Sequence, residues 1–176
     1  MGGILAGHRL KLQGRFHLVI PLMQSLLRCL FIPNWGTRSK VETRVSIPPW
    51  LSADVATAPY ATAYARLLCA LCDPTTSSVA APGSRRRQEL TPATAKARRV
   101  ASQHLPYLLE EYIQDQLQYR LLPDVKSALT PGLYSILEVS SPETLRMVNA
   151  AMDASGRTLF KALYTDYGRF GRWREH

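Results

Sequence analysis

The chain has 176 residues, the length of one domain that buries about two-thirds of its unfolded surface. Apolar residues at 46% and charged residues at 20%, with only 10 Gly and 12 Pro, exclude a disordered, collagen-like or low-complexity chain. Lys+Arg number 22 against 13 Asp+Glu, net +9, a balance that favours a polyanionic neighbour such as RNA, DNA or an acidic protein.

The charge is unevenly spread. Residues 1–99 hold 14 Lys+Arg against 4 Asp+Glu, whereas residues 100–176 hold 8 against 9. A polyanion surface is therefore expected mainly in the first half, with a local exception at the C-terminal end. Three cysteines, Cys29, Cys69 and Cys72, argue against a disulfide framework and suit a reducing compartment.

In chain order, Leu12, Phe16, Val19, Met23, Leu26 and Leu30 step as one helical stripe, and Leu18, Leu22 and Leu27 widen it. That width predicts a helix wrapped by neighbours on more than one side. Pro21 should kink it and Pro33, Asn34 and Gly36 should end it. Arg9, Lys11 and Arg15 before this stretch imitate the start of a signal peptide. Gln24, Ser25, Arg28 and Pro21 interrupt the apolar run, no small-residue cleavage site follows, and the run is too short to span a membrane.

Residues 34–50 read as loop. Tyr60, Tyr64, Leu67 and Leu71 mark a second helix, with Ala61, Ala65, Leu68 and Cys72 beside them; Ser52 or Asp54 is its expected N-cap and Asp73-Pro74 its stop. The small Ala61 and Ala65 would admit a close helix neighbour. Residues 74–92 lack periodicity and are rich in Ser, Thr and Pro, which predicts a flexible basic insertion.

A third helix is expected from Thr91–Ala93 to about Leu121, bent at Pro106, with Leu105, Leu108 and Tyr112 on one edge of its apolar face and Leu109, Ile113 and Leu117 on the other. Three short helices opened by Pro123, Pro131 and Pro142 should follow, the last with Ser140 or Ser141 as cap and Ser140…Glu143 at capping-box spacing. A final helix near Ser155–Tyr167 stacks Phe160, Leu163 and Tyr167, with Gly168 as its left-handed cap. No segment alternates with period 2. The expectation is one all-α domain over 1–176, of paired long helices and short Pro-started helices, closer to the end of an α-solenoid (HEAT/armadillo-like) than to a four-helix bundle.

Catalytic and metal chemistry find no support in the residues. Cys69-Ala-Leu-Cys72 falls at a helix C-terminus, where the dipole opposes a thiolate, so packed thiols are the simpler reading. His8, His17, His104 and His176 are scattered and match no ligand spacing. Glu111 and Asp115 are four apart, the spacing of a metal pair, but with Glu110 they read as a solvated acidic face. No phosphate-binding loop, dinucleotide fingerprint or nucleophile motif is present. The expectation is a non-enzyme with no catalytic residue, cofactor or metal.

Two basic features stand out. Arg85, Arg86 and Arg87, followed by Lys96, Arg98 and Arg99, have the form of a two-part nuclear-import signal or an RNA-contacting arm. The tail interleaves Arg169, Phe170, Arg172, Trp173 and Arg174, so guanidinium groups can pair phosphates while the rings stack on unpaired bases. The alternative is that Phe170 and Trp173 dock back as a hydrophobic latch with the arginines solvated.

Several separated blocks also carry a resemblance. They are Gly14-Arg-Phe16; Tyr64–Pro74 (YARLLCALCDP); KARRVASQHLPYLLEEYI within Ala95–Ile113; Pro131–Leu137 (PGLYSIL); and Met152–Trp173 (MDASGRTLFKALYTDYGRFGRW). In this order they resemble the C-terminal domain of the unhealthy ribosome biogenesis protein 2 family, also called nucleolar pre-ribosomal-associated proteins, with residues 75–92 the least typical part. Members of that family are much longer helical scaffolds. The resemblance implies a nuclear, nucleolar protein of early large-subunit assembly and precursor rRNA processing. It also implies proteins of the pre-ribosomal particle as partners: a larger sister scaffold, a DEAD-box helicase and small assembly factors.

Together these readings predict a non-catalytic helical interaction module. A direct RNA-binding module using the basic arm and tail is the second reading, in which precursor rRNA is itself a partner. A membrane-associated or exported protein, based on residues 9–32, is a distant third.

Overall fold

The computed structural model describes residues 14–32, 57–72 and 92–171, apart from the side chains of 92–95 and 97. These form seven α-helices: α1 (Phe16–Arg28), α2 (Ala58–Cys72), α3 (Pro92–His104), α4 (Pro106–Gln118), α5 (Pro123–Val139), α6 (Pro142–Ala151) and α7 (Ala154–Asp166). A π-helical turn, Tyr167–Gly171, continues α7. The class is all-α, as the period of the apolar residues predicts. The one strand-like contact among the described residues is an isolated antiparallel bridge between Ile32 and Arg120, N···O 2.8 and 2.9 Å, which ties the chain after α1 to the chain after α4.

Gly14, at φ +84°, turns the chain into α1 in a conformation that suits glycine. The buried stripe of α1 is Phe16, Ile20, Met23 and Leu27. It runs through Ile20 and Leu27, where the sequence reading placed Val19 and Leu26. Leu18 and Leu22 are 63% and 45% exposed, so α1 lies on the core by one face and is not wrapped. The helix continues through Pro21 and ends at Arg28, before Pro33.

In α2 the buried side is Ala61, Tyr64, Ala65, Leu68, Leu71 and Cys72, while Tyr60 turns to solvent. The helix starts at Ala58, with the Ala61 N–H on the Thr57 carbonyl at 3.1 Å; the expected caps Ser52 and Asp54 lie outside the described residues.

The expected third helix is two. Pro106 has no N–H to continue the ladder, and the helix breaks at Leu105 into α3 and α4. Conversely, Pro131 opens nothing: α5 passes through it as one helix from Pro123 to Val139. Ser140 does not cap α6; its hydroxyl turns back to the Ile136 carbonyl at 2.6 Å, and Ser141 accepts from the Thr144 N–H at 3.2 Å. Asp153 caps α7 by accepting from the Gly156 N–H at 2.6 Å. Gly168 lies inside the π turn with no left-handed φ, so it is not a cap.

The tightest pairing is α2 against α5, elements that are not consecutive in the chain. α4 is the centre: it packs on α1, α3, α5, α6 and α7. Its Leu108, Leu109, Tyr112 and Ile113, with Leu105 before it, are among the most completely buried side chains. α4 thus touches helices on both sides of it in sequence.

Candidate partner and RNA interface

Of the predicted contact residues, Arg85, Arg86 and Arg87 and the rest of the expected insertion up to 91 lie outside the described residues, as do Arg172, Trp173 and Arg174. Lys96, Arg98 and Arg99 are on α3, with Lys96 and Arg99 exposed one turn apart and Arg98 half-buried. The Arg99 carbonyl accepts from the Ser102 hydroxyl at 2.8 Å, which keeps the turn closed beneath its side chain. Arg169 and Phe170 are exposed on the π turn. α3 and the π turn both pack on α5, so the two basic features flank one helix.

Phe170 is 64% exposed and is not the latch that one reading of the tail required. Tyr167 takes that part. Its ring meets Tyr134 of α5 edge-on at 5.5 Å and Tyr164 at 6.3 Å. Gly171 folds beneath it so closely that a Cβ there would collide with the Tyr167 ring. Pinned in this way, the turn holds Phe170 outward beside a shallow open groove of about 200 Å³ lined by Ser127, Thr130, Pro131, Tyr134 and Phe170. Tyr167 was legible only as a helix-face residue; its meeting with Tyr134 depends on the path of the turn.

A second cluster lies where α1, α2 and α4 meet. Arg28 donates from Nε to Glu111 Oε1 at 2.5 Å and pairs with it through Nη2, and Gln24 donates to Glu111 Oε2 at 3.3 Å. Tyr64 donates its hydroxyl hydrogen to the Met23 carbonyl at 2.9 Å. Burial first, then the nearby Glu111 and Asp115 carboxylates, push the Tyr64 phenol up from its ordinary value. Asp115 is 5% exposed and its Oδ2 is buried without a hydrogen-bond partner. Burial, reinforced by Glu111 and opposed by Arg28, pushes its carboxyl up to about 7.

The acidic residues of α4 are therefore not a solvated face. Glu111 anchors α1, and Asp115 sits in the core. The signal available in the sequence was Arg28, a cation inside an apolar helix that needed an acid opposite.

Cys72 is buried and Cys69 half-buried, its Sγ 3.2 Å from the Ser135 hydroxyl, which is the packed arrangement expected of these thiols. Among the described residues no group of three or more His, Cys, Asp or Glu is placed to hold a metal ion, and no helix is long and apolar enough to cross a membrane.

Of the predicted contact residues that are described, Lys96 and Arg99 of α3 and Arg169 and Phe170 of the turn are exposed and open to a partner or a polyanion. Comparison with known proteins is consistent across the whole chain. The model of the Urb2/Npa2 family matches residues 1–176. A curated relative from Schizosaccharomyces pombe, named "Probable nucleolar pre-ribosomal-associated protein 2", is 23% identical over 175 residues, which is 99% of this chain and 13% of that protein. The chain thus spans a small part of the relative's length. No solved structure matches it. The full-length family match, and the all-α structure beneath it, show that this chain belongs to the Urb2/Npa2 family, a family of nucleolar ribosome-biogenesis factors.

Proposed function

We propose that the chain is a non-catalytic helical interaction module in early large-subunit assembly and precursor rRNA processing, acting in the nucleolus. The family match over residues 1–176 carries the reading. The structure supports it in kind: a closed apolar core, with large apolar side chains left on outward helix faces. Leu18 on α1, Tyr107 on α4 and Met147 on α6 are 63%, 53% and 71% exposed, well placed for protein contacts. The partners proposed are a larger sister scaffold, a DEAD-box helicase and small assembly factors of the pre-ribosomal particle. The module would serve as one part of a longer helical scaffold.

Capture of the tagged chain from nucleolar extract, with and without nuclease, tests this. Recovery of large-subunit assembly factors that survives nuclease supports protein docking. Loss of all of them on nuclease treatment contradicts it and leaves RNA as the link.

A second reading, direct RNA contact, is favoured by one arrangement: Phe170 exposed next to Arg169 on a turn pinned by Tyr167. Phosphate contacts release counterions, so RNA affinity through Lys96, Arg98, Arg99, Arg169, Arg172 and Arg174 should fall steeply with salt.

A further inference from the structure

We infer that the groove between α5 and the π turn seats one unpaired base of single-stranded RNA, with the Phe170 ring as its stacking surface. The inference rests on the RNA-contact reading above and gives it a place and a geometry.

α5 presents Ser127, Thr130, Pro131 and Tyr134 to the groove at helical spacing, and Phe170 borders it from the turn. The space, about 200 Å³, takes a single planar heterocycle and is too small for a helix. The wall is held in place, because Tyr167 stands edge-on against Tyr134 and Gly171 packs under Tyr167. A base can therefore enter without the turn being reordered.

The polar groups decide between a base and an aliphatic side chain. Thr130 donates its hydroxyl hydrogen to the Lys126 carbonyl at 2.8 Å, so towards the groove it can only accept. An acceptor there suits the amino or imino hydrogens on a base edge. Exposed Lys126 stands one turn from Thr130 on α5, and exposed Arg169 precedes Phe170 in the chain, so each of the two elements carries a cation close in sequence to a lining residue. An aliphatic side chain would use the ring alone. Glu138 lies one turn beyond Tyr134 on α5, and Asp166, the last residue of α7, lies four residues before Phe170; they weaken the positive field. Stacking, more than charge, is thus what the groove contributes.

The test is fluorescence anisotropy of the full chain with short labelled oligo(A) RNA, the same backbone carrying abasic residues, and RNA duplex. Phe170→Ala should weaken oligo(A) binding about tenfold with the salt slope unchanged, because a stack and not an ion pair is lost. Phe170→Trp should restore the affinity and Phe170→Leu should not. Abasic RNA should not distinguish Phe170→Ala from the native chain, and melting temperatures should match throughout. Native-like affinity of Phe170→Ala or Phe170→Leu for oligo(A), or an equal loss on abasic RNA, overturns the base site while leaving RNA contact elsewhere on the chain intact. A native chain that binds no single-stranded RNA overturns both.

Discussion

Gly132 of α5 lies so close to Ala65 of α2 that a Cβ on Gly132 would stand 2.8 Å from the Ala65 Cα and 2.9 Å from Leu68 Cδ1. This contact sets the separation of the tightest helix pair in the fold. A glycine inside a helix costs about 1 kcal/mol relative to alanine, so its presence here reflects the neighbour and not helix propensity.

Gly132→Ala is therefore expected to destabilise, although it improves the helix. The new methyl meets backbone, which cannot rotate away, and overpacking of this kind costs about 1–3 kcal/mol. Urea unfolding followed by circular dichroism should show a lower midpoint. A raised midpoint would mean that α2 and α5 separate easily.

Arg28→Ala removes the cation that holds Glu111, whose side chain is 16% exposed. Arg28 itself is 43% exposed, so solvent screening keeps the direct ion-pair gain to roughly 1 kcal/mol or less. Leaving the half-buried carboxylate with the Gln24 amide but no cation adds to the loss, for a total of about 1–3 kcal/mol. A double-mutant cycle with Glu111→Gln should show coupling between the two positions. Strictly additive losses would mean that the pair contributes nothing to docking α1 on α4.

Asp115 gives the fold a pH dependence of definite sign. Its carboxyl is raised from 3.8 to about 7 in the folded chain, chiefly by burial. The folded state thus holds its proton where the unfolded state has lost it. The resulting stabilisation is complete below pH 4 and declines by up to about 1.4 kcal/mol per pH unit on the way to 7. Asp115→Asn should remove this slope. Above pH 7 the variant should be the more stable protein, because a neutral amide costs about 1–3 kcal/mol to bury unpaired and a carboxylate more. Equal pH slopes for native and variant between 4 and 7 would show that Asp115 ionises as freely folded as unfolded.

The helix caps offer an independent check on the C-terminal part. Ser141→Ala removes the acceptor for the Thr144 N–H, and Asp153→Ala the acceptor for the Gly156 N–H. Each should cost about 1 kcal/mol. If Asp153→Ala alone were neutral, α7 would not depend on its cap and the start of the Met152–Trp173 block would need another explanation.

Much of the fold was legible in the sequence. The apolar period of Leu105–Leu109–Tyr112–Ile113 and of Leu133–Ile136–Leu137 marked faces that are buried. Proline was the ambiguous signal. Pro106 breaks its helix and Pro131 does not, and the sequence around them does not separate the cases. α5 keeps its course where Gly132 packs against Ala65 and Leu68 of α2, a contact distant in the chain. The acidic face was misread for the same reason. Glu111 and Asp115 look solvated on α4 alone; only the position of α1 brings Arg28 and Gln24 onto Glu111, while Asp115 is buried. Likewise Tyr167 replaces Phe170 as the latch because the terminal turn is π-helical, a winding that no residue pattern announces.

Membership of the pre-ribosomal particle is tested most directly by sedimentation. Extract from cells expressing the tagged chain should be separated on a sucrose gradient and each fraction probed for the chain and for large-subunit precursor rRNA. The chain should sediment with the precursor particles and shift to the top of the gradient when those particles are dissociated. A chain found only at the top, with intact precursor particles lower in the same gradient, would contradict its role as a module of large-subunit assembly.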